Sequence, residues 1–420
     1  MKKICLVLVG LYLMLFHAFA QRSSGDTADY TPRPLQVDEV NLFSSYYGQN
    51  GNHSAITGGT GSEKVTDFSN GLEVVLVGVD SKQRKNTLTT GLNFDYHTAA
   101  SQAWVSKTGA SKAWGVRVYP SLNWLIENAR KGTGLGMGLY YSNEYNYKSL
   151  GADLSISKKT NNNGEFTAKA QIYLDAVKMI YPSELVPGNT TTVNNTGTIT
   201  VTTASGNTVV LNSSGQTISG HRAHLPSKPR DTYDVSLSFS QVINSRMQGS
   251  VMVDLAGQTG YLGLPFHRVY FTDGTDTVEN LPSTRFKLPI GARLNYFLGD
   301  KIILRGYYRY YTDSWGITSQ TASLEIPYKI TPFFSVAPFY RYYTQSQSSY
   351  FAPYGVHQKT DPYYTSNYAL SGFSSGYFGV NFRISSPDLI FNSLEIRYGH
   401  YTQTTDLVSD VISVSVKFKQ

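Results

Sequence analysis

The sequence predicts an all-β protein, a transmembrane antiparallel up-and-down β-barrel of about 16 strands with short periplasmic turns and long extracellular loops. Segments of roughly ten or more residues alternate apolar with polar or glycine side chains, as residues 88–97 (LTTGLNFDYH) do, whereas strands of soluble sandwiches usually span about 5–6 residues. Short polar links and longer stretches connect these segments. Only 15% of the 420 residues are charged, while 32 Tyr and 20 Phe suit the aromatic girdles of such a barrel.

The first 20 residues predict a secretory signal peptide. A charged start precedes the apolar stretch 4–16, and Ala18 and Ala20 form a small-x-small cleavage site before Gln21. A transmembrane anchor is the alternative, but the apolar run is short for one. The only cysteine of the chain lies in this segment, so the mature chain has no thiol for disulfides, metal sites or nucleophilic catalysis. Export without disulfides indicates a bacterial envelope protein.

The first strand of the barrel is the hardest one to place. A single-chain bacterial barrel should have an even number of strands, and fifteen other segments alternate. Because the strand near 71–80 must run inward, an outward strand has to precede it, and 37–48 (VDEVNLFSSYYG) is the candidate. The alternative is a barrel of 14 strands with 37–48 lying in the lumen as a plug. Residues 21–36 are expected to be a periplasmic N-terminal extension, and 37–420 the barrel. The other expected strands are near 71–80, 87–98, 112–126, 133–144, 147–158, 165–177, 231–243, 247–256, 285–297, 301–313, 317–327, 333–345, 367–384, 391–402 and 408–418.

Two long connections differ in composition. The connection 178–230 is rich in Thr, Asn, Ser and Gly, with alternating runs on both sides of 204–207, and predicts an extracellular hairpin insertion; a flexible loop is the alternative. The connection 257–284 contains the apolar run 261–271 (YLGLPFHRVYF), which would be a liability if exposed to water. We expect this loop to fold into the barrel mouth and constrict the lumen; a contact with a partner protein is the alternative. The candidate constriction residues are Tyr261, Leu264, Phe266, His267, Arg268, Tyr270 and Phe271.

Charged residues on the polar face of the strands are expected to line the lumen, because a charge facing lipid costs about 2–4 kcal/mol near the membrane midplane. The C-terminal half contributes mostly arginines and the N-terminal half mostly acids. Such walls would set a transverse field favouring small polar or charged solutes. The alternative is that arginines and acids pair to fill and stiffen the interior. The candidate lumen residues are Arg293, Arg305, Arg309, Glu325, Arg341, Arg383, Glu395, Arg397, Asp95, Glu144, Asp153 and Asp175.

The motifs that could indicate an enzyme or a cofactor site are weak. The glycines of 132–140 (GTGLGMGLY) recur at every second residue, which is typical of one face of a strand and not of a phosphate-binding loop. The histidines of the mature chain fall in outer loops or near outer strand ends, without a signature for catalysis. His221 and His224 have a spacing compatible with metal binding only in an ordered loop. We therefore expect no catalytic site, no cofactor and no metal.

The segment 304–326 (LRGYYRYYTDSWGITSQTASLEI) predicts an outer hairpin. Interleaved basic and aromatic residues can form a nucleic-acid platform, but the net charge of +7 is spread along the chain without a basic block, so nucleic acid is not an expected partner. A three-residue loop at 314–316 with Gly316 last keeps the apolar residues of both strands on one side. This register sets Arg305 opposite Glu325 and Arg309 opposite Thr321.

Several segments resemble an uncharacterised bacterial outer-membrane β-barrel family that is catalogued as a domain of unknown function. They are 46–69, 176–185, 261–271, 288–326 and 397–407, and the resemblance covers nearly the whole mature chain. It implies an outer-membrane barrel and brings no activity or site to transfer.

These observations favour a porin-like channel for small polar or charged solutes in the bacterial outer membrane. The alternative is a sealed barrel that acts as a scaffold or docking partner for another envelope protein, and an outer-membrane hydrolase is a third. The expected partners are outer-membrane lipids and the barrel assembly machinery.

Overall fold

The computed structural model describes residues 32–98, 114–144, 146–180, 190–193, 199–202, 208–211, 217–221, 226–385 and 390–419. The predicted signal peptide 1–20, most of the predicted extension 21–36 and His224 lie outside these residues. In the described part of the chain no helix is long and apolar enough to cross a membrane.

Sixteen long strands form one closed antiparallel sheet. Each strand pairs with its neighbours in the chain, and β16 pairs with β1 from Glu39↔Lys419 to Asn50↔Val408, which closes the barrel. The count of 16 is confirmed, and residues 37–48 are part of the wall and not a plug. The strands are β1 Arg33–Asn50, β2 Val65–Val79, β3 Lys85–Thr98, β4 Trp114–Asn128, β5 Thr133–Asn143, β6 Tyr147–Lys159, β7 Gly164–Lys178, β8 Ser227–Asn244, β9 Met247–Gly260, β10 Thr284–Leu298, β11 Ile302–Asp313, β12 Thr318–Glu325 with its continuation Tyr328–Lys329, β13 Phe334–Gln345, β14 Phe373–Ile384, β15 Ser393–Gln403 and β16 Leu407–Lys419.

Several strand boundaries differ from the prediction; β2, for example, begins at Val65 and not near 71. β1 begins at Arg33, so residues 33–36 belong to the barrel and not to the N-terminal extension. Pro34 made this segment look unlike a strand, but the register is irregular between Arg33 and Gln36, and proline is tolerated at a strand start or bulge. β14 begins at Phe373 instead of 367, because Asn367 caps a short 3₁₀ turn by accepting a hydrogen bond from the Ala369 N–H at 3.0 Å.

The outer face of the barrel is apolar and exposed. Leu139 is 57% exposed and Ile156 58%, and residues of the same parity on the other strands are also large and apolar. A band of this size suits lipid and would be a liability in water. The glycines of 132–140 that lie in β5 have the opposite parity to Leu139, so they face the lumen.

The two ends of the barrel differ. At the short-turn end, connections such as 160–163 and 245–246 are tight, whereas the long-loop end carries the connections 51–64, 179–226, 261–283 and 346–372. Within 179–226, four short strands form a separate antiparallel sheet, in which 199–202 pairs with 208–211; the predicted turn at 204–207 lies outside the described residues. The buried apolar side chains of the described residues gather mostly at the long-loop end, for example Val269, Phe271 and Trp315.

The β11–β12 hairpin has the predicted register. Arg305 pairs with Glu325 and Arg309 pairs with Thr321, and Leu324 is exposed on the outer face. Gly316 has φ of 86°, the left-handed conformation that glycine adopts without strain. The observed register confirms these predictions. They could be made because the alternation on both strands admits a loop of odd length only.

Candidate functional site

The lumen face is identified by contacts that reach across several strands. Arg397 on β15 lies 3.3 Å from Glu325 on β12, although β13 and β14 separate their strands. Three strand spacings amount to roughly 14 Å, so these side chains must converge on the concave side of the wall. The same alternation places the predicted lumen residues of the strands on that side, and Glu144 follows directly after β5.

The arginines of β11, β14 and β15 are partly neutralised by two glutamates. Arg305 donates to Glu325 at 2.8 Å, and Arg397 shares the same carboxylate. Arg383 lies 3.4 Å from Glu395. The Arg397 guanidinium also stacks on Phe339, with 3.8 Å between its carbon and the ring centroid. These pairs stiffen this part of the wall, which agrees with the alternative that arginines and acids pair to fill and stiffen the interior.

Three further predicted arginines have no carboxylate partner among the described residues. Arg293 lies over the ring of Tyr307 at 5.3 Å, and Arg341 over the ring of Tyr377 at 5.1 Å. The Nε–H of Arg309 is buried and donates to no protein acceptor. Pairing therefore explains only part of the basic charge in the lumen.

The four predicted acidic residues on the opposite side of the lumen each have at least one partner. Tyr119 donates to Asp95 at 2.9 Å, and Tyr147 donates to Asp175. The other pairs are Lys169 with Asp153 at 3.4 Å and His97 with Glu144 at 3.1 Å.

The sequence reasoning missed Arg285, a lumen group near the long-loop end. Arg285 donates to Asp313 at 2.9 Å through its Nε, and Tyr311 donates to the same carboxylate at 2.7 Å. Arg285 also lies over the Trp315 ring at 4.3 Å. Arg285 shares the parity of Arg293, so the alternation contained the signal for it.

Three loops at the long-loop end pack together into a cap, formed by residues 51–64, 261–283 and 346–372. Arg268 donates to the carbonyl of Ile56, and a Cβ added at Gly58 would lie 2.6 Å from the Tyr270 ring. The ring of His53 stacks on that of Tyr368 at 3.7 Å. The connections 51–64 and 261–283 are eight strands apart in a ring of sixteen, so they leave the barrel on opposite sides. Their contact requires the cap to cross the mouth.

The centre of the cap is a buried polar cluster. The Glu279 side chain is only 1% exposed, lies 3.4 Å from His267 and accepts a hydrogen bond from Thr365 at 2.7 Å. Arg230, which has lumen parity on β8, donates to the carbonyls of Tyr261 at 2.9 Å and Gly263 at 2.7 Å. These bonds hold the start of loop 261–283 toward the barrel axis.

The candidate constriction residues are all part of this cap. His267, Arg268 and Phe271 are buried. The remaining four are partly exposed, and they are Tyr261, Leu264, Phe266 and Tyr270.

Two surface carboxylates form ion pairs in the cap, one between loops 261–283 and 346–372 and one within loop 346–372. Asp273 pairs with Lys359 at 2.8 Å, and Asp361 lies 3.2 Å from His357. The Lys359 ammonium holds the pKa of Asp273 below its ordinary range. The backbone N–H of Gln358, followed by His357, lowers the pKa of Asp361.

The described histidines of the barrel and the cap contact single carboxylates or lie among aromatic residues. His400 faces outward on β15 and lies 2.8 Å from Asp410, which also accepts from Tyr398 at 2.7 Å. Within the described residues, no three His, Cys, Asp or Glu side chains are grouped so that they could hold a metal ion.

The closed barrel, its apolar outer face and its charged interior define a β-barrel of the outer-membrane type. The chain belongs to the family described as "Protein of unknown function (DUF3570)", whose family model matches residues 76–410. No curated protein matches the chain.

Among solved structures, a bacterial polysaccharide outer membrane secretin superposes with a TM-score of 0.43 at 9% identity, covering 91% of this chain and 98% of that one. The outer membrane protein OprD from Pseudomonas aeruginosa gives a TM-score of 0.39 at 8% identity, covering 91% and 93%. A mutant of the TodX monoaromatic hydrocarbon channel gives 0.38 at 10% identity, covering 92% and 90%. The fold assignment rests on the strand topology and not on these superpositions.

Proposed function

We propose that the protein is an outer-membrane channel that passes small polar or charged solutes. The observation that carries this proposal is a sixteen-stranded barrel whose inner face is polar and charged. Barrels of about eight strands fill their interior with side chains, whereas those of 16–18 strands leave an aqueous channel. The exposed apolar outer face supports a place in the bacterial outer membrane, with the short-turn end in the periplasm.

The cap would narrow this channel at its outer mouth. Loop 261–283 meets the loop from the opposite side of the ring, and Arg230 holds its first residues toward the axis. Residues 261–271 would thus act as the constriction. The same cap favours a second candidate function, a sealed barrel that serves as a docking partner for another envelope protein.

Conductance in planar bilayers tests the proposal. Gly260 donates its N–H to the Ser283 carbonyl at 2.9 Å, so residues 261–282 can be replaced by a two-residue Asn-Gly turn without moving β9 or β10. We expect the refolded protein to show discrete current steps and this variant to show larger ones. Removing 190–221, outside the cap, is the matched control and should leave the steps unchanged.

The outcomes separate the two candidates. A wild-type barrel without current, together with a conducting cap variant, would favour the sealed docking barrel. Absence of current in both would contradict the channel.

A further inference from the structure

The inner face of β10–β15, called the basic wall below, carries positive charge that no group of the described residues neutralises. Among the described residues, Arg293, Arg309 and Arg341 form no ion pair, whereas Arg305, Arg383 and Arg397 each face a glutamate. Arg309 is the most telling of the three, because its Nε is buried and has no hydrogen-bond partner. A buried donor without a protein partner is costly, so the Arg309 Nε–H needs an acceptor from outside the protein, which can be water or an oxygen atom of a bound solute.

The strand register brings these three arginines to one patch of the wall. Arg293 lies opposite Tyr307 on the next strand, and Tyr307 lies opposite Ser323. Ser323 in turn lies opposite Arg341 on β13. Neighbouring strands are about 4.8 Å apart, so β11 and β13 are roughly 10 Å apart at this level. Long arginine side chains from both strands can therefore reach a shared point between them.

The residues between the arginines are short and carry hydroxyl groups. Arg309 lies opposite Thr321, so β12 presents Thr321 and Ser323 between Arg309 on β11 and Arg341 on β13. No bulky side chain of β12 separates Arg309 from Arg341, and hydroxyl groups can donate to an oxyanion. Arg341 and Arg293 are exposed to the lumen, so a solute can reach the patch from the water-filled interior.

We infer that Arg293, Arg309 and Arg341 form an oxyanion-binding site for small solutes that carry a phosphate or carboxylate group. The planar guanidinium fork matches both groups in a bidentate geometry. Three positive charges in one patch of the wall favour a doubly charged anion over a singly charged one. If solutes bind here on their way through the barrel, the site deepens the proposed channel function and rests on it. The binding itself depends only on the wall residues.

Calorimetric titration with inorganic phosphate tests the site. The full-chain protein is refolded in an uncharged detergent, and phosphate is titrated at constant ionic strength. The variant Arg309→Gln/Arg341→Gln should bind phosphate at least about tenfold more weakly, since a charged hydrogen bond contributes about 1.5–3 kcal/mol. The matched control is Arg305→Gln/Arg383→Gln, which removes two arginines of the same wall that have glutamate partners, and it should stay within about twofold of the wild type.

Other outcomes would overturn the inference. They are an absence of phosphate binding by the wild type, an equal loss in both double variants, or no loss in either. Should the first double variant fail to fold, Arg341→Gln alone serves, because Arg341 is exposed; an unchanged phosphate affinity there would also overturn it.

This measurement does not require the barrel to conduct. A sealed barrel that binds phosphate through these arginines would end the channel proposal and leave the site intact. A conducting barrel that does not bind phosphate would end the site proposal and leave the channel proposal intact.

Discussion

The two sides of the lumen wall handle their charges differently. The wall formed by β10–β15 has a basic excess on its inner face, and the wall formed by β3–β7 has nearly balanced charges. On β10–β15 the basic residues are Arg285, Lys287, Arg293, Arg305, Arg309, Arg341, Arg383 and Arg397, and the acidic ones are Asp313, Glu325 and Glu395. On β3–β7 the acidic residues are Asp95, Glu127, Asp153, Glu165 and Asp175, and the basic ones are Lys85, Arg117, Lys159 and Lys169.

The difference between the two walls indicates which charges a solute inside the barrel would meet. On β3–β7 most of the carboxylates contact a neighbour, as Asp95 contacts Tyr119 and Asp153 contacts Lys169. On β10–β15 three arginines are left over after the ion pairs are made. Because the low-dielectric wall focuses the field of such charges, we expect the basic wall to dominate selectivity.

Reversing charge on the basic wall should have the largest effect. In Arg293→Glu/Arg341→Glu, both altered residues are exposed to the lumen, and the preference for anions should turn into one for cations. The expected change in permeability ratio is on the order of tenfold. The reversal potential in a salt gradient measures it. Asp153→Asn/Asp175→Asn on the opposite wall is the control and should shift the ratio far less; an equal shift would remove the distinction between the walls.

Removing the glutamate between two arginines should have the next largest effect, on stability. Glu325 binds both Arg305 and Arg397, so Glu325→Gln leaves two guanidinium groups facing each other. The residues are partly exposed, and after solvent screening we expect a loss of about 1–2 kcal/mol in the free energy of unfolding. Urea unfolding in lipid vesicles measures it. Glu395→Gln, which breaks a single exposed pair with Arg383, should cost less, and the reverse order would show that the shared carboxylate is unimportant.

The tyrosine contacts of the acidic wall predict a smaller effect. Tyr147→Phe removes the hydroxyl that donates to Asp175, and Tyr119→Phe removes the donor to Asp95. Each should lower the free energy of unfolding by about 1 kcal/mol and make the lumen more attractive to cations. Tyr233→Phe on the outer face is the control. If Tyr233→Phe changed cation permeability as much as Tyr147→Phe or Tyr119→Phe, the hydrogen bonds from Tyr147 and Tyr119 would not explain the effect.

Acid pH should affect the cap, which lies across the barrel mouth at the long-loop end. The folded-state pKa values of Asp273 and Asp361 lie below the ordinary value, about 3.9, so their stabilising contribution is complete above that pH and is lost as the pH falls through the lowered values. We expect the hydrogen-exchange protection factors of 265–280 and 355–362, corrected for the intrinsic rate at each pH, to fall below about pH 4. Lys359→Gln/Asp361→Asn should flatten this dependence, and an unchanged acid response would place its origin elsewhere.

Local periodicity was enough to predict the wall of the barrel. Alternation fixes the face of each strand, and the odd loop at 314–316 then fixes the pairing of Arg305 with Glu325. The start of β1 was misplaced because Pro34 and a bulge interrupt the pattern. Residues 367–372 were misplaced because a side-chain cap competes with strand formation.

The cap could not be read from the sequence in the same way. Loop 261–283 was expected to fold inward because it is apolar, but nothing local indicates that Arg268 reaches Ile56 on the far side of the ring. Likewise, the contact between Arg397 and Glu325 depends on barrel curvature across two intervening strands. Such contacts are set by the closure of the whole sheet and not by any one segment.

The reversal potential of the wild-type barrel in a planar bilayer under a potassium chloride gradient tests the central claim most directly. A sixteen-stranded channel with three unneutralised arginines in its wall should conduct in discrete steps, with a potential whose sign shows preference for chloride. A barrel that carries no current, or one that prefers potassium, would contradict the account.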